Sequence, residues 1–593
     1  MYTDVENVRI LVALLKKYGI QDAVLSSGTC SIPVLQSLEA DEYFNCYSDV
    51  DERSAAYVAI GIAQVKKNPV AVVCTSGTAV CNYLPGVCEA KRLGVPLVII
   101  TCDKAPHTLG HMVIQKVSQE NIFGDNCKFA VNIPVIQESS DRWAVEMMIS
   151  QALMETQHHG NGPVQINIYT DGDKKTFNTP SLPLVKKINR ISGIQLHRDI
   201  KKIREKISSF NRIMVVCGEN SYCNKETVTA IENFCRTHNA VIIGEPVSNV
   251  DSEMRLNTYR LTEQLMIENF KNNLKPDLVI SFGGNFAAYE IKSLLKSVRG
   301  SVTHWWIDPA GEIVDTWRMI SSVFEMTPKY FFNEIISENQ KPVPNEYHQK
   351  WQQAIDNIKI PEVAYSSMFF MDKLSKELAK RNVSIMHMGI LNSTRLGQLF
   401  DMSSNIRAYS NLGALGIDGS LSSFLGQASV QPKGINVCVV GDLSFIYDIN
   451  ALAGTEFPSN IKMVLLNNGG GSEFHLNTGL DVIPTLDRYI SAGHSSKVGR
   501  WTASNGLKYF TITKEEECVS EIRKFLDYEG AAFLEVYTDI EIDSQVIKQM
   551  YQANGYVLTT AQKSAKVKKL LTKVIGMEKT QRIAKMAKIW LGR

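Results

Sequence analysis

The chain reads as an α/β protein of three domains, with parallel sheets flanked by helices and a basic helical tail at the C-terminus. Three observations carry this reading. Short apolar runs ending in Gly, Asp or Asn alternate with helix-length amphipathic stretches along most of the 593 residues. These runs lack the period-2 alternation of a half-exposed strand, as expected where helices cover both faces of a sheet. From Ala561 to Arg593 the rhythm stops, and ten basic side chains stand against one acid, Glu578. Strands separated by helical spacers are βαβ units, hence parallel sheets.

In the first third the runs are Asp22–Gly28, Pro69–Thr75, Pro96–Asp103 and Pro163–Tyr169. The middle third has Ile213–Gly218, Ala240–Glu245, Asp277–Gly284 and Val302–Asp308. The last has Val383–Gly389, Ile435–Asp442, Ile461–Asn468, Tyr509–Thr513 and Ala531–Thr538. Phe177–Val185 and Glu338–Glu346 each carry two prolines and read as linkers. The expected units are therefore 1–180, 190–340 and 355–545, with a tail at 549–593. In that tail Val567, Leu570, Leu571, Val574 and Ile575, then Ile583, Met586, Ile589, Trp590 and Leu591, recur at helical spacing among lysines. Two short basic amphipathic helices of this kind suit an anionic membrane surface or an acidic partner.

Composition narrows the class. Apolar residues make up 44% and charged residues 21%, which is ordinary for a globular protein. Lys plus Arg (63) balances Asp plus Glu (61), so no overall field draws the chain to nucleic acid. The twelve cysteines form no C-x-x-C, which argues against a zinc site and a disulfide framework. Charges interrupt Met1–Ile20, so no signal peptide is expected there. The expected setting is the cytoplasm, with the tail reaching the inner membrane face. Cys30, Cys74, Cys81, Cys88 and Cys102 are expected to be buried as small apolar residues.

In open parallel sheets, ligands bind beyond the C-terminal strand ends. The strand ends that stand out are Ser26-Ser-Gly-Thr29, Thr75-Ser-Gly-Thr-Ala79, Gly389, Gly441-Asp442 and Asn467-Asn-Gly-Gly-Gly471. No P-loop, dinucleotide fingerprint, H-E-x-x-H or G-x-S-x-G is present. Asp442 and Asn468 close adjacent runs 26 residues apart. A carboxylate, an amide oxygen and a glycine-loop carbonyl are hard ligands suited to Mg²⁺ with a diphosphate. Taken singly, Asp442 is equally a helix cap and Asn-Asn-Gly a turn; the pairing favours the metal.

These residues resemble the motif of thiamin-diphosphate enzymes, Gly441-Asp442 … Asn467-Asn468. Asp51-Glu-Arg-Ser-Ala55, Cys74-Thr-Ser-Gly-Thr-Ala79, Gly416-Ile-Asp-Gly419 and Gly441-Asp-Leu-Ser-Phe445 are similar to one branch of that family. The branch is the menaquinone-pathway synthase of 2-succinyl-5-enolpyruvyl-6-hydroxy-3-cyclohexene-1-carboxylate (SEPHCHC), and the likeness runs from about Val8 to Thr538. It implies a three-domain thiamin-diphosphate-binding fold in pyrimidine-binding, central and diphosphate-binding order. By the resemblance, the catalytic residues are Glu52, on the pyrimidine N1′, Ile417, between the cofactor rings, and Arg395, toward the substrate. Thr78, Gln115, Gly416, Ile417, Gly441 and Ser444 would bind the cofactor, and Asp442, Asn468 and the Gly470 carbonyl would hold Mg²⁺. Glu52 and Asp442 would act from different subunits, which implies a homodimer or tetramer.

The departures fall where substrate would bind. The family's S-P-G-S-R reads Ser26-Ser-Gly-Thr-Cys30, its central lysine falls on Tyr289, one arginine becomes Leu412, and D-R-P reads Asp103-Lys104-Ala105. Dianionic substrates need several charge-assisted donors, each contributing roughly 1.5–3 kcal/mol. The expected activity is decarboxylation of a 2-oxo acid with C–C bond formation to an acceptor, on a substrate pair different from that of the branch. The alternatives are SEPHCHC synthesis itself, simple 2-oxo acid decarboxylation, and a catalytically silent scaffold held at a membrane. His475 and His494, after the glycine loop, are further candidates as proton donors.

Overall fold

The computed structural model describes residues 1–170, 176–185, 187, 200–220, 223–312, 314–317, 319–337, 340–400, 405–453, 456–476, 480 and 483–553. Three six-stranded parallel sheets form the framework. The first comprises β1 (Asp22–Leu25), β2 (Asn45–Ser48), β3 (Val70–Cys74), β4 (Leu97–Asp103), β5 (Phe129–Ile133) and β6 (Val164–Tyr169), ordered β2-β1-β3-β4-β6-β5. The second has β7 (Ile213–Cys217), β8 (Ala240–Gly244), β9 (Arg255–Leu256), β10 (Leu278–Phe282), β11 (Thr303–Ile307) and β12 (Ile320–Phe324), ordered β12-β11-β10-β7-β8-β9. Read from its other edge, that is the doubly wound order 3-2-1-4-5-6. The third has β13 (Val383–Met388), β14 (Arg407–Tyr409), β15 (Ile435–Gly441), β16 (Ile461–Asn467), β17 (Lys508–Ile512) and β18 (Ala532–Tyr537), ordered β14-β13-β15-β16-β18-β17. The first and third sheets thus repeat one topology, and β3 corresponds to β15.

Each of the thirteen apolar runs is a strand, and the central ones are buried throughout, as β3, β4, β7 and β16 are. The basic stretch expected at the C-terminus lies outside the described residues beyond 553, while 549–553 continue the helix Ile540–Ala553. No helix among the described residues is long and apolar enough to cross a membrane.

Nine helices bear on the site: α1 (Glu52–Lys66), α2 (Thr78–Asn82), α3 (Ser367–Leu378), α4 (Asn392–Leu399), α5 (Ser420–Ser429), α6 (Asp442–Tyr447), α7 (Glu473–Leu476), α8 (Cys518–Leu526) and α9 (Ile540–Ala553). Helices α1 and α5 join the first sheet to the third with their backbones in contact. A Cβ on Gly61 would lie 2.2 Å from the Ser423 carbonyl, and one on Gly426 would lie 2.2 Å from that of Val58. Beside the crossing, Gln427 Nε2 donates to Gln64 Oε1 (2.9 Å) and Tyr57 Oη donates to Asp418 (3.2 Å). The second sheet reaches the third through Asn249, which pairs with the backbone of Ala408 on β14 as a strand would, donating at 2.8 Å and accepting at 2.9 Å.

Of the cysteines expected to be buried, Cys30, Cys74 and Cys102 are, whereas Cys88 is half-buried and Cys81 exposed. Cys81 sits on α2, a single turn of helix at the C-terminal edge of the first sheet.

One charge cluster ties α3 to α8. Glu377 accepts from Arg523 Nη2 (3.0 Å), Lys380 Nζ (2.7 Å) and Arg381 Nη1 (2.9 Å). Arg523 first, then Lys380 and Arg381, hold its carboxyl at about 2, below the ordinary 4.5. A depressed carboxylate stabilises the fold fully above its unfolded pKa, and that contribution is lost as pH falls through the folded value. Glu377→Gln is expected to lower the melting temperature at pH 7 by about 2–4 °C. The gap to wild type should narrow below pH 4.5 and close near pH 2; a gap unchanged by pH would contradict the assignment.

Candidate active site

Strands β15 and β16 lie side by side with Gly441 opposite Leu466, so both exits open at one place. Asp442 opens α6 there, 2% exposed. Its carboxylate reaches across to the neighbouring loop: Oδ2 accepts from the N–H groups of Gly469 (2.7 Å) and Gly470 (3.0 Å), and Oδ1 accepts from that of Leu443 (2.7 Å). His494 Nε2 stands 3.3 Å from Oδ2. Burial pushes the Asp442 carboxyl up, opposed by His494 and by the three N–H groups. Gly470 has φ 156°, and a Cβ there would lie 2.9 Å from the Ser491 carbonyl, so the loop closes on Asp442 only with glycine.

Around these residues is a cavity of about 320 Å³. Ile417, Gly441, Asp442, Ser444, Asn468 and Gly470 line it, so six of the residues expected from the sequence are brought together. Gly416 directly precedes Ile417, and a Cβ there would meet Asp418 Oδ1 at 2.3 Å. Asn468 Nδ2 donates to Asp543 Oδ2 (2.8 Å), which also accepts from Ser367 Oγ (2.7 Å) and Thr538 Oγ1 (2.8 Å). The other oxygen of Asp543 takes the Ser367 N–H (2.7 Å). A carboxylate can only accept, so Asp543 takes the NH₂ end of the Asn468 amide and turns the amide oxygen away from itself. Sequence reasoning missed Asp543, which lies 75 residues from Asn468 and beyond the last strand.

Glu52, Thr78 and Gln115 are elsewhere. Every described residue lining the cavity lies between 367 and 547, whereas these three share the C-terminal edge of the first sheet. Glu52 opens α1 and accepts from Asn82 Nδ2 of α2 (3.2 Å). Thr78 opens α2 after β3, and Gln115, at φ 55°, packs against Gly77. Beside them Met112 and Ile114 are 99% and 79% exposed. Cys30 is buried with Sγ 3.3 Å from Ser76 Oγ, and Lys104 Nζ donates to the Ile114 carbonyl (2.5 Å). Tyr289 opens the helix Tyr289–Ser297.

Arg395 on α4 lines a second cavity of about 40 Å³, room for about one water. Its Nη1 and Nη2 donate to the two carboxylate oxygens of Glu473 (2.5 and 3.0 Å), and Nη1 also donates to Asn392 Oδ1. Glu473 lines the larger cavity, and Leu391 lines both. Leu391 (φ 60°) and Leu415 (φ 58°), both lining the small cavity, hold left-handed conformations that leucine rarely adopts. Leu412, 1% exposed, forms an apolar wall. Glu263 lines the same cavity; burial and Glu290 push its carboxyl up to about 7 against the pull of Arg395. Glu473 was within reach of the sequence, two residues after the glycine loop, but its partner Arg395 lies 78 residues away. His475 stands between Asp487 (3.2 Å) and Glu541 (3.1 Å), away from the cavity lining.

Residues 6–126 match the family model described as thiamine pyrophosphate enzyme, N-terminal TPP binding domain. The SEPHCHC synthase of Bacteroides thetaiotaomicron is 34% identical over 563 residues, which cover 93% of this chain and 99% of that protein. The synthase of Phocaeicola vulgatus is 33% identical with the same coverage, and that of Desulfotalea psychrophila is 30% identical over 88% of this chain and 96% of its own. The chain belongs to the thiamin-diphosphate-dependent SEPHCHC synthase family. Membership makes it a thiamin-diphosphate enzyme of the transferase and lyase classes, and the three parallel sheets are the fold that the family resemblance implies. Against that family background, the Arg395–Glu473 pair and the apolar Leu412 stand on one wall of this chain's site.

Proposed function

We propose that the protein decarboxylates a 2-oxo acid with thiamin diphosphate and Mg²⁺ and joins the remaining fragment to an acceptor, on a substrate pair other than that of SEPHCHC synthesis. The observation that carries the reading is the cavity at the β15 and β16 exits, where buried Asp442, Asn468 and the Gly470 backbone converge. Its oxygen donors fit Mg²⁺, which prefers hard ligands and completes its shell with phosphate and water. Asp442, Asn468 and the Gly470 carbonyl would hold the ion, with Gly441 and Ser444 toward the diphosphate and Gly416 setting the turn before Ile417. Thiamin diphosphate supplies the electron sink for breaking the bond to CO₂. Ile417 would orient the cofactor rings, and Glu52 would hold the proton shared with the pyrimidine N1′. Glu52, Thr78 and Gln115 stand outside the cavity, beside the exposed apolar loop of Met112 and Ile114. This supports a homodimer in which each first unit, 1–180, completes the partner's third unit, 355–545.

A different substrate pair is supported by the buried Cys30, the apolar Leu412 and the engaged Lys104, all at positions where the family resemblance expects arginine. The second reading, SEPHCHC synthesis itself, is favoured by full-length coverage of relatives that bear that name. Complementation of a strain lacking the synthase separates the two, since restored quinone synthesis would overturn the first.

The direct test is calorimetric titration of thiamin diphosphate with Mg²⁺ into wild type and Glu52→Gln, followed by CO₂ release from a panel of 2-oxo acids. Both proteins are expected to bind, with turnover reduced roughly 10²–10⁴-fold in the variant. No binding to wild type would sink the reading and favour a silent scaffold. Aldehyde release without any acceptor would reduce the activity to simple decarboxylation.

A further inference from the structure

The Arg395–Glu473 pair stands where the large cavity meets the small one, and it bears on the substrate of the reaction proposed above, on which this inference rests. Among the described residues Arg395 is the cation lining the small cavity, and both its terminal nitrogens already serve the Glu473 carboxylate, in the parallel-fork geometry that makes such pairs strong. Asn392, one turn before Arg395, takes a further N–H and in turn donates to Ser472 Oγ (2.7 Å), so the fork is held from both ends. The other described groups on this wall add no positive charge. Leu412 and Phe286 are apolar, and Glu263 is a second carboxyl. Lys292 stands behind Asn285, to whose Oδ1 it donates at 2.5 Å.

We propose that Glu473 determines donor specificity by neutralising Arg395, so that the site selects 2-oxo acids whose far end is uncharged and rejects those carrying a second carboxylate. A distal carboxylate entering here would meet the Glu473 charge beside the guanidinium and would have to displace it to gain the fork. An uncharged end meets Leu391, Leu412 and Leu415 instead, at no such cost. Glu473 acts through Arg395, so its effect belongs in substrate binding.

The test uses the enzyme loaded with thiamin diphosphate and Mg²⁺, with CO₂ release from 2-oxobutanoate and from 2-oxoglutarate measured over the first turnover, which needs no acceptor. In wild type, kcat/KM for 2-oxobutanoate is expected to exceed that for 2-oxoglutarate by about tenfold or more, the worth of one charge-assisted bond. Glu473→Gln keeps a hydrogen-bond acceptor for Arg395 while freeing its charge. It is expected to move the ratio toward 2-oxoglutarate by about tenfold or more, through KM for the diacid. A wild type that prefers 2-oxoglutarate overturns the proposal by itself, whether or not the variant folds, and so does a ratio that Glu473→Gln leaves unmoved. Release of CO₂ from neither acid, nor from any other 2-oxo acid, would overturn the decarboxylase reading beneath it.

Discussion

Replacing Asp442 by asparagine is expected to weaken thiamin diphosphate binding in Mg²⁺ by at least about a hundredfold. Removing a group that only orients a metal ligand typically costs about 10–100-fold, and Asp442 is proposed as the charged ligand itself. Two losses combine. The site gives up its buried carboxylate, leaving the neutral oxygens of Asn468 and Gly470 to hold a divalent cation. The amide also cannot replace the carboxylate locally, because Oδ2 serves two backbone N–H groups and Oδ1 serves a third. Whichever way the asparagine turns, its NH₂ meets a donor, at a cost of about 1–3 kcal/mol for each stranded group. Calorimetry should find weakened binding, and the melting temperature without cofactor should also fall, because the Gly469–Gly470 loop loses its anchor. Thiamin diphosphate bound with unchanged affinity and Mg²⁺ dependence would remove Asp442 from the metal site.

What the sequence could reveal follows from how these sheets are built. Central strands are buried on both faces, so β3, β4, β7 and β16 stand out as unbroken apolar runs. Five strands left no such trace: β2, β5, β9, β12 and β14, all at sheet edges. There one side and part of a face meet solvent, so Asn45–Ser48 and Ile320–Phe324 mix polar and apolar residues with little burial. Asp442 and Asn468 could be read together because each directly ends a recognisable strand, and adjacent parallel strands bring their ends together. Arg395 and Glu473 or Asn468 and Asp543 could not, since neither pair follows from a strand register. Glu52, Thr78 and Gln115 are proposed through family resemblance alone. Physically they are ordinary residues of a helix start, a short turn of helix and a loop, and the chain itself does not bring them to the cavity.

Gly61→Ala should destabilise the protein by more than about 3 kcal/mol, at the severe end for overpacking. Local preference argues the opposite way. Gly61 lies inside α1 without the positive φ that demands glycine, and alanine favours a helix interior by about 1 kcal/mol. The neighbouring helix decides the sign. A Cβ at Gly61 would stand 2.2 Å from the Ser423 carbonyl and 2.9 Å from the Gln427 nitrogen, both backbone atoms of α5 that no rotamer change can move. Gly426 meets the Val58 carbonyl in the same way from the other side, so the two helices are notched into each other and cannot slide past the clash. They can only separate, which would pull apart Gln64 and Gln427 as well as Tyr57 and Asp418. The separation would also shift α1, whose first residue is Glu52, against the third sheet that carries Asp442. The variant should therefore melt well below wild type and bind thiamin diphosphate less tightly. A variant melting at or above wild type would mean that helix propensity outweighs the crossing, and that the close approach of α1 and α5 is not what holds the first and third sheets together.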